Sequence, residues 1–240
     1  MSKKFKLFCL PFAGGYASMF LPWDQYVNNQ IELIPIELAG RGARIQEPLY
    51  ENLKQAVNDI YRTIKDDLNK SNYAFFGHSL GAQLAYELYY KVRIHGHRSP
   101  QAMFLSAHNP PHVPLSVLKH KFSEEILKQE LLKMGGTNPD LLKDESLLEM
   151  FMPILFSDFK MSETHQYKPR KQLIDSKLVI LNGQDDTVTS RERLLEWQNY
   201  TNQKIQLCEF GGSHFFINDH IEEIMGIINN CLLKEEYQIG

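Results

Sequence analysis

A serine flanked by glycines, Gly77-His78-Ser79-Leu80-Gly81, lies between an apolar run at residues 73–76 and a helical pattern at residues 84–92. A strand that feeds a helix through such a pentapeptide turns sharply, so that the serine hydroxyl stands free above the sheet and only glycine fits beside it. A serine hydroxyl is a weak nucleophile until a histidine takes its proton and a carboxylate orients that histidine. The chemistry this arrangement announces is acyl transfer. The alternative, a glycine-rich turn whose serine only caps the next helix, requires no acid or histidine downstream.

Such partners are present in the required order, acid and then histidine. Two strand-like runs after the serine could present an acid, at residues 102–107 and 177–181. The first runs into His108-Asn109-Pro110-Pro111, which has no carboxylate. The second runs into Asn182-Gly183-Gln184-Asp185-Asp186, at the carboxyl end of a strand, where α/β sheets place their chemistry. Asp186 is the candidate acid and Asp185 the alternative. Of the nine histidines, only His214 and His220 follow the acid. His214 comes after a strand-like run and the pair Gly211-Gly212, a loop able to swing an imidazole towards Ser79, whereas His220 falls at a helix start. His214 is therefore the candidate base. His78 is expected to pack beside the serine, and His95, His97, His112, His120 and His165 read as solvated or modestly packed surface residues.

An acyl-transfer site also needs two N–H donors aimed at the developing oxyanion. The Leu80 amide comes with the turn. The second is expected after an early strand, where residues 7–10 are followed by Pro11-Phe12-Ala13-Gly14-Gly15. Ala13 is the candidate donor, with Phe12 as the alternative. A dinucleotide-binding loop would occupy the same place, but Gly-x-Gly-x-x-Gly is absent.

The elements that must position these residues are strand-like runs at 5–10, 31–36, 73–76, 102–107, 177–181 and 204–210, alternating with helical patterns. That rhythm predicts an α/β fold with a mostly parallel, doubly wound sheet, and residues 1–240 read as one domain. The rhythm breaks between residues 108 and 176. There the sequence predicts short helices punctuated by Gly135-Gly136, Pro139 and Pro153. This insertion, at about residues 109–176, is too long for an ordinary loop and reads as a helical lid. It is rich in apolar side chains, among them Leu141, Leu142, Phe159 and four of the eight methionines, Met134, Met150, Met152 and Met161. Flexible thioethers suit a surface that accommodates varied acyl chains, so a few of these side chains are expected to line the channel.

Composition is that of a globular protein, with 43% hydrophobic and 23% charged residues, and a net charge of -3 gives no reason to expect a nucleic-acid partner. Cys9, Cys208 and Cys231 are odd in number and widely spaced, which predicts free, buried thiols in a reducing cytoplasm rather than a disulfide or metal framework. Lys3 and Lys4 before an apolar stretch imitate a secretory signal, but Lys6 and Pro11 interrupt it, and no segment has the roughly 20 apolar residues that span a bilayer. A cytoplasmic protein without membrane association is expected.

Leu10-Pro11-Phe12-Ala13-Gly14-Gly15, Gly77-His78-Ser79-Leu80-Gly81, Gly183-Gln184-Asp185-Asp186 and Gly211-Gly212-Ser213-His214 together resemble the signature of type II thioesterases, the stand-alone editing enzymes of nonribosomal peptide and polyketide synthesis. Glu37-Leu38-Ala39-Gly40-Arg41-Gly42 and Ser106-Ala107-His108-Asn109-Pro110-Pro111 resemble that family's loop after the second core strand and its approach to the lid. Ser213 departs from the pattern, separating the glycine pair from the histidine. The resemblance implies an α/β-hydrolase fold and hydrolysis of acyl or aberrant aminoacyl thioesters on the phosphopantetheine arm of carrier proteins. It also implies no cofactor or metal, carrier domains as partners, and a monomer. Lys119, Lys121, Lys168, Arg170 and Lys171 are candidate contacts for acidic carriers.

Overall fold

The structure is a computed structural model that describes residues 4–115, 117–135 and 143–233. Six strands form one sheet: β1 (Phe5–Leu10), β2 (Ile31–Pro35), β3 (Tyr73–His78), β4 (Ala102–Ser106), β5 (Lys177–Gly183) and β6 (Gln206–Phe210). Their order is β2-β1-β3-β4-β5-β6 and every pairing is parallel, as the alternation of strand and helix predicts. The chain winds outward from β1 to β2, then returns and winds the other way from β3. The reversal leaves a crevice at the carboxyl ends of β1 and β3, the place where open α/β sheets bind ligands.

Each strand sends alternate side chains to opposite faces. In β1, Phe8 and Leu10 enter the core under α1 (Leu53–Ile64) and α2 (Leu80–Ile94), whereas Phe5, Leu7 and Cys9 enter the core that holds Phe20, Trp23 and the α6 (Ile221–Leu233) residues Ile224 and Ile228. α1 shows how the sequence makes such a layer. Leu53, Ala56, Val57, Ile60 and Ile64 recur at helical spacing and are buried, and Asn52 caps the start by accepting from the Gln55 amide. A short α5 (Arg191–Leu195) begins at Ser190, whose side chain accepts from the Arg193 amide.

Between β4 and β5 lie α3 (Glu124–Met134) and α4 (Glu145–Glu163), and no strand occurs there among the described residues. The two helices have a core of their own, built from Leu127, Leu131, Leu148, Phe151, Met152 and Leu155. Gly135 ends α3 with φ 77°, the left-handed cap that favours glycine. Pro153, expected to end a helix, instead lies inside α4. Its ring stands on the exposed side, where a carbonyl without an intrahelical partner is solvated, and the burial of its neighbours Met152 and Ile154 outweighs the local cost of about 3 kcal/mol. Gly136, Pro139, Leu141 and Leu142 lie outside the described residues. Cys9 is buried, Cys208 and Cys231 are half-buried, and none of the three forms a disulfide among the described residues. No described helix is long and apolar enough to cross a membrane.

Candidate active site

β3 runs into α2 through the serine turn, and the two glycines are fixed by close approach. A Cβ on Gly77 would stand 2.1 Å from the Gly81 carbonyl oxygen, and one on Gly81 would stand 2.1 Å from the Leu10 carbonyl oxygen. Ser79 takes φ 53° and ψ −116°, a strained conformation that costs a side-chain-bearing residue about 1–3 kcal/mol. Its amide donates to the Ser106 carbonyl at 2.8 Å and its carbonyl accepts from the Ala82 amide at 3.0 Å, so the neighbouring strand and helix hold the strain.

The loops after β5 and β6 bring the two partners to this turn. His214 Nε2 lies 3.0 Å from Ser79 Oγ, and His214 Nδ1 lies 2.8 Å from Asp186 Oδ2. The buried Asp186 carboxylate also accepts from the Val188 amide at 2.7 Å on Oδ1 and from Thr189 Oγ1 at 3.0 Å on Oδ2. Burial pushes this carboxyl up, but the His214 hydrogen bond and charge, with the Val188 and Thr189 donors, hold it below the ordinary aspartate value. Since Asp186 is an anion, His214 Nδ1 carries the proton and Nε2 is left to accept from Ser79.

Asp185 is exposed, and its amide donates to the Gly212 carbonyl at 3.0 Å. His220 turns to Glu223 and the Gly211 carbonyl, at 2.8 and 3.0 Å. The additional Ser213 is accommodated because Gly183 lacks a side chain. A Cβ there would meet the Ser213 carbonyl oxygen at 2.2 Å, so acid loop and histidine loop lie backbone to backbone.

His78 is fully buried, with Nδ1 2.8 Å from Ser106 Oγ and its ring 5.2 Å from that of His214. Burial and then the neighbouring His214 push its pKa well below the ordinary histidine value, so it packs as a neutral ring.

Beside Ser79 opens a cavity of about 450 Å³. Ala13 and Leu80 line it and Phe12 does not, and neither the Ala13 nor the Leu80 amide has a hydrogen-bond partner within the described protein. Leu80 is also the first residue of α2, where the helix dipole favours negative charge. The rest of the wall meets the expectation of apolar lid side chains in Phe159 but not in the methionines. No lid methionine lines the cavity; Met152 and Met161 are buried in packing cores, Met134 is half-buried and Met150 is exposed. Beside Phe159, α4 contributes Ser162 and Glu163, and α2 contributes Gln83 and Glu87. These polar positions were not predicted. Their only sequence signal is the interruption of the apolar pattern of α4 at Ser162-Glu163.

His108, whose loop the sequence reading set aside as a source of the acid, also lines the cavity, and burial pushes its pKa down to about 4. Arg170 is engaged at this wall, donating to Glu87 at 2.7 Å and lying over the Tyr90 ring, and His165 Nε2 is 3.3 Å from Glu87. His112 and His120 are likewise held, against Glu196 and Glu163 at 2.6 Å each.

The thioesterase domain family matches residues 5–232. The curated thioesterase PikA5 of Streptomyces venezuelae is 31% identical over 232 residues, 95% of this chain and 81% of that protein. The medium-chain S-acyl fatty acid synthase thioesterase of Rattus norvegicus is 30% identical over 234 residues, 95% of this chain and 88% of the other. Among solved structures, ClbQ from the colibactin NRPS/PKS pathway superposes with a TM-score of 0.92 at 32% identity, covering 97% of this chain and 98% of that one.

Proposed function

The chain belongs to the thioesterase domain family, in the α/β-hydrolase fold, and from that premise we propose that Ser79, His214 and Asp186 are its catalytic triad, with the Ala13 and Leu80 amides as its oxyanion hole. The substrate is an acyl or aberrant aminoacyl group carried as a thioester on the phosphopantetheine arm of a carrier domain in a nonribosomal peptide or polyketide synthase. The observation that carries the reading is the unbroken hydrogen-bond chain from Asp186 through His214 to Ser79, beside two amides without partners among the described residues.

Ser79 Oγ attacks the thioester carbonyl carbon as its proton passes to His214 Nε2, and Asp186 stabilises the imidazolium. The two amides bind the oxyanion. When the tetrahedral adduct collapses, the carbon–sulfur bond breaks and the pantetheine thiol leaves with the proton from His214. Water then gives a proton to His214 and attacks the acyl-serine, and the carboxylic acid departs as Ser79 recovers its proton. No step calls for a cofactor.

A second reading, release of medium-chain fatty acids, is favoured by the likeness to the fatty acid synthase thioesterase. The first is favoured by the likeness to ClbQ of the colibactin NRPS/PKS pathway over 97% of this chain, and the cavity wall mixes polar Gln83, Glu87, Ser162 and Glu163 with apolar Leu115, Val117, Leu118 and Phe159. The test is Ser79→Ala together with a panel of thioesters. Wild type should be labelled at Ser79 by a fluorophosphonate and should hydrolyse short acyl-carrier thioesters faster than medium-chain ones. A Ser79→Ala variant with wild-type turnover refutes the triad, and a preference for medium chains refutes the editing assignment.

A further inference from the structure

The loop after β1 is held at three points in succession. The Gly15 amide donates to the Phe12 carbonyl at 2.8 Å, the Gly14 amide donates to Asp158 Oδ2 at 2.8 Å, and the Gly15 carbonyl accepts from Arg41 Nη1 at 3.2 Å. Arg41 and Asp158 also pair with each other, Nη1 to Oδ2 at 2.7 Å and Nη2 to Oδ1 at 2.8 Å, and both residues are 0% exposed.

This arrangement controls a direction. A trans peptide is planar, with its carbonyl and its N–H pointing opposite ways. The Phe12 carbonyl and the Ala13 N–H belong to one such plane, so a donor that fixes the carbonyl also aims the N–H. That donor is Gly15, and Gly15 stays in place because Arg41 holds its carbonyl and Asp158 holds the preceding amide. Leu155 and Phe151 of α4 press on the same loop, where a Cβ on Gly14 would meet them at 2.8 and 3.0 Å.

Stability alone is a poor explanation for the pair. Desolvating two charges costs several kcal/mol, and apolar side chains of similar volume commonly replace such a pair without loss of stability. What an apolar pair could not supply is the charged donor and acceptor that reach the loop backbone.

We propose that Arg41 and Asp158 are positioning residues for the oxyanion hole, holding the Phe12–Ala13 peptide so that the Ala13 amide faces the developing charge. Because Asp158 lies on α4, whose Phe159 and Ser162 wall the cavity, the donor is set by the same helix that shapes the acyl site. The inference rests on the triad reading above.

The experiment compares wild type with Arg41→Lys and with the double variant Arg41→Met/Asp158→Leu, using an acyl-pantetheine thioester and an alkyl boronic acid that forms a tetrahedral adduct on Ser79. The double variant should fold and melt near the wild-type temperature, with kcat lower by about 10- to 100-fold and KM changed by less than about threefold. Its boronate affinity should fall by the same factor as kcat, and Arg41→Lys should show a smaller loss of the same kind. A double variant with wild-type kcat and boronate affinity overturns the proposal. So does one that cannot fold, since the pair would then hold the fold rather than the loop. Fluorophosphonate labelling separates the two levels: wild-type enzyme that takes no label at Ser79 refutes the triad reading, and with it this one.

Discussion

Replacing Asp186 by asparagine tests the hydrogen-bond chain at its buried end. The two carboxylate oxygens have different partners. Oδ1 accepts from the Val188 amide at 2.7 Å, and Oδ2 faces His214 Nδ1 at 2.8 Å and Thr189 Oγ1 at 3.0 Å. An asparagine NH2 in place of Oδ1 would set donor against donor at the Val188 amide, so the amide must take the other orientation. Its NH2 then points at His214 Nδ1, which has to accept, and the ring proton moves to Nε2. In that tautomer the imidazole cannot take the proton of Ser79. Thr189 does not oppose the change, because its hydroxyl can turn its single proton from the carboxylate to Asn182 Oδ1, 2.7 Å away, and accept from the new amide. The expected loss is about 10⁴ in kcat, or about 5.5 kcal/mol at 1.36 kcal/mol per decade, with little change in melting temperature. Asp185→Asn, on an exposed side chain, should stay within about twofold of wild type. The assay is single-turnover hydrolysis of an acyl-pantetheine thioester under conditions where acylation limits the rate. An Asp186→Asn enzyme that keeps a tenth of the wild-type rate, or equal losses in the two variants, would refute the reasoning.

Gly81→Ala should cost on the order of 3–5 kcal/mol in thermal or urea unfolding, since its Cβ meets backbone at 2.1 Å, whereas Gly96→Ala, at φ 75° with open space around it, should cost only about 1–2 kcal/mol. Similar losses at both sites would show that the elbow can relax. His78 and His108 are held neutral by burial, with folded pKa values below the ordinary 6.5, so their contribution to stability is complete above that value and is lost as pH falls through the lowered ones. Differential scanning fluorimetry should therefore show a melting temperature lower by on the order of 5 °C at pH 4.5 than at pH 6.5, and His108→Asn should shrink that difference; a variant with the unchanged slope removes His108 from the account. For carrier docking, Arg170 is already committed to Glu87, so the exposed Lys168 and Lys171 are the informative sites. Their charge reversal should raise KM for an acyl carrier protein about three- to tenfold and leave an acyl-pantetheine thioester unchanged, and equal effects on both substrates would exclude the patch.

The six strands and the three side chains of the candidate triad were legible because each leaves a local mark. Short continuous apolar runs mark strands buried on both faces, as β3, β4 and β5 are, a glycine pair marks a loop, and the order of serine, acid and histidine restricts the choice. The strands' far ends were not legible. β3 continues to His78 and β5 to Gly183 because their ladders with Ser106 and Phe210 persist beyond the apolar runs. Pro153 misled for a related reason, since its effect depends on which side of α4 meets solvent. Arg41 and Asp158 lie 117 positions apart in the chain, and such a contact leaves no periodic trace in a single sequence.

The separate core of α3 and α4 sets how this segment can change over evolutionary time. Its six buried residues pack on one another and not into either face of the sheet. Substitutions among those six are felt first within the segment, although Phe151 and Leu155 also touch the loop after β1 and Met161 of α4 joins the core of the sheet. Transplanting the pair from a relative is therefore a direct route to a new acyl preference in one step. The graft must keep what α4 gives the rest of the fold, Met161 in the sheet core and Ser162 on Gln83, and its second helix must carry an acid where Asp158 stands, because without it the buried Arg41 has only the Gly15 carbonyl and no counter-ion.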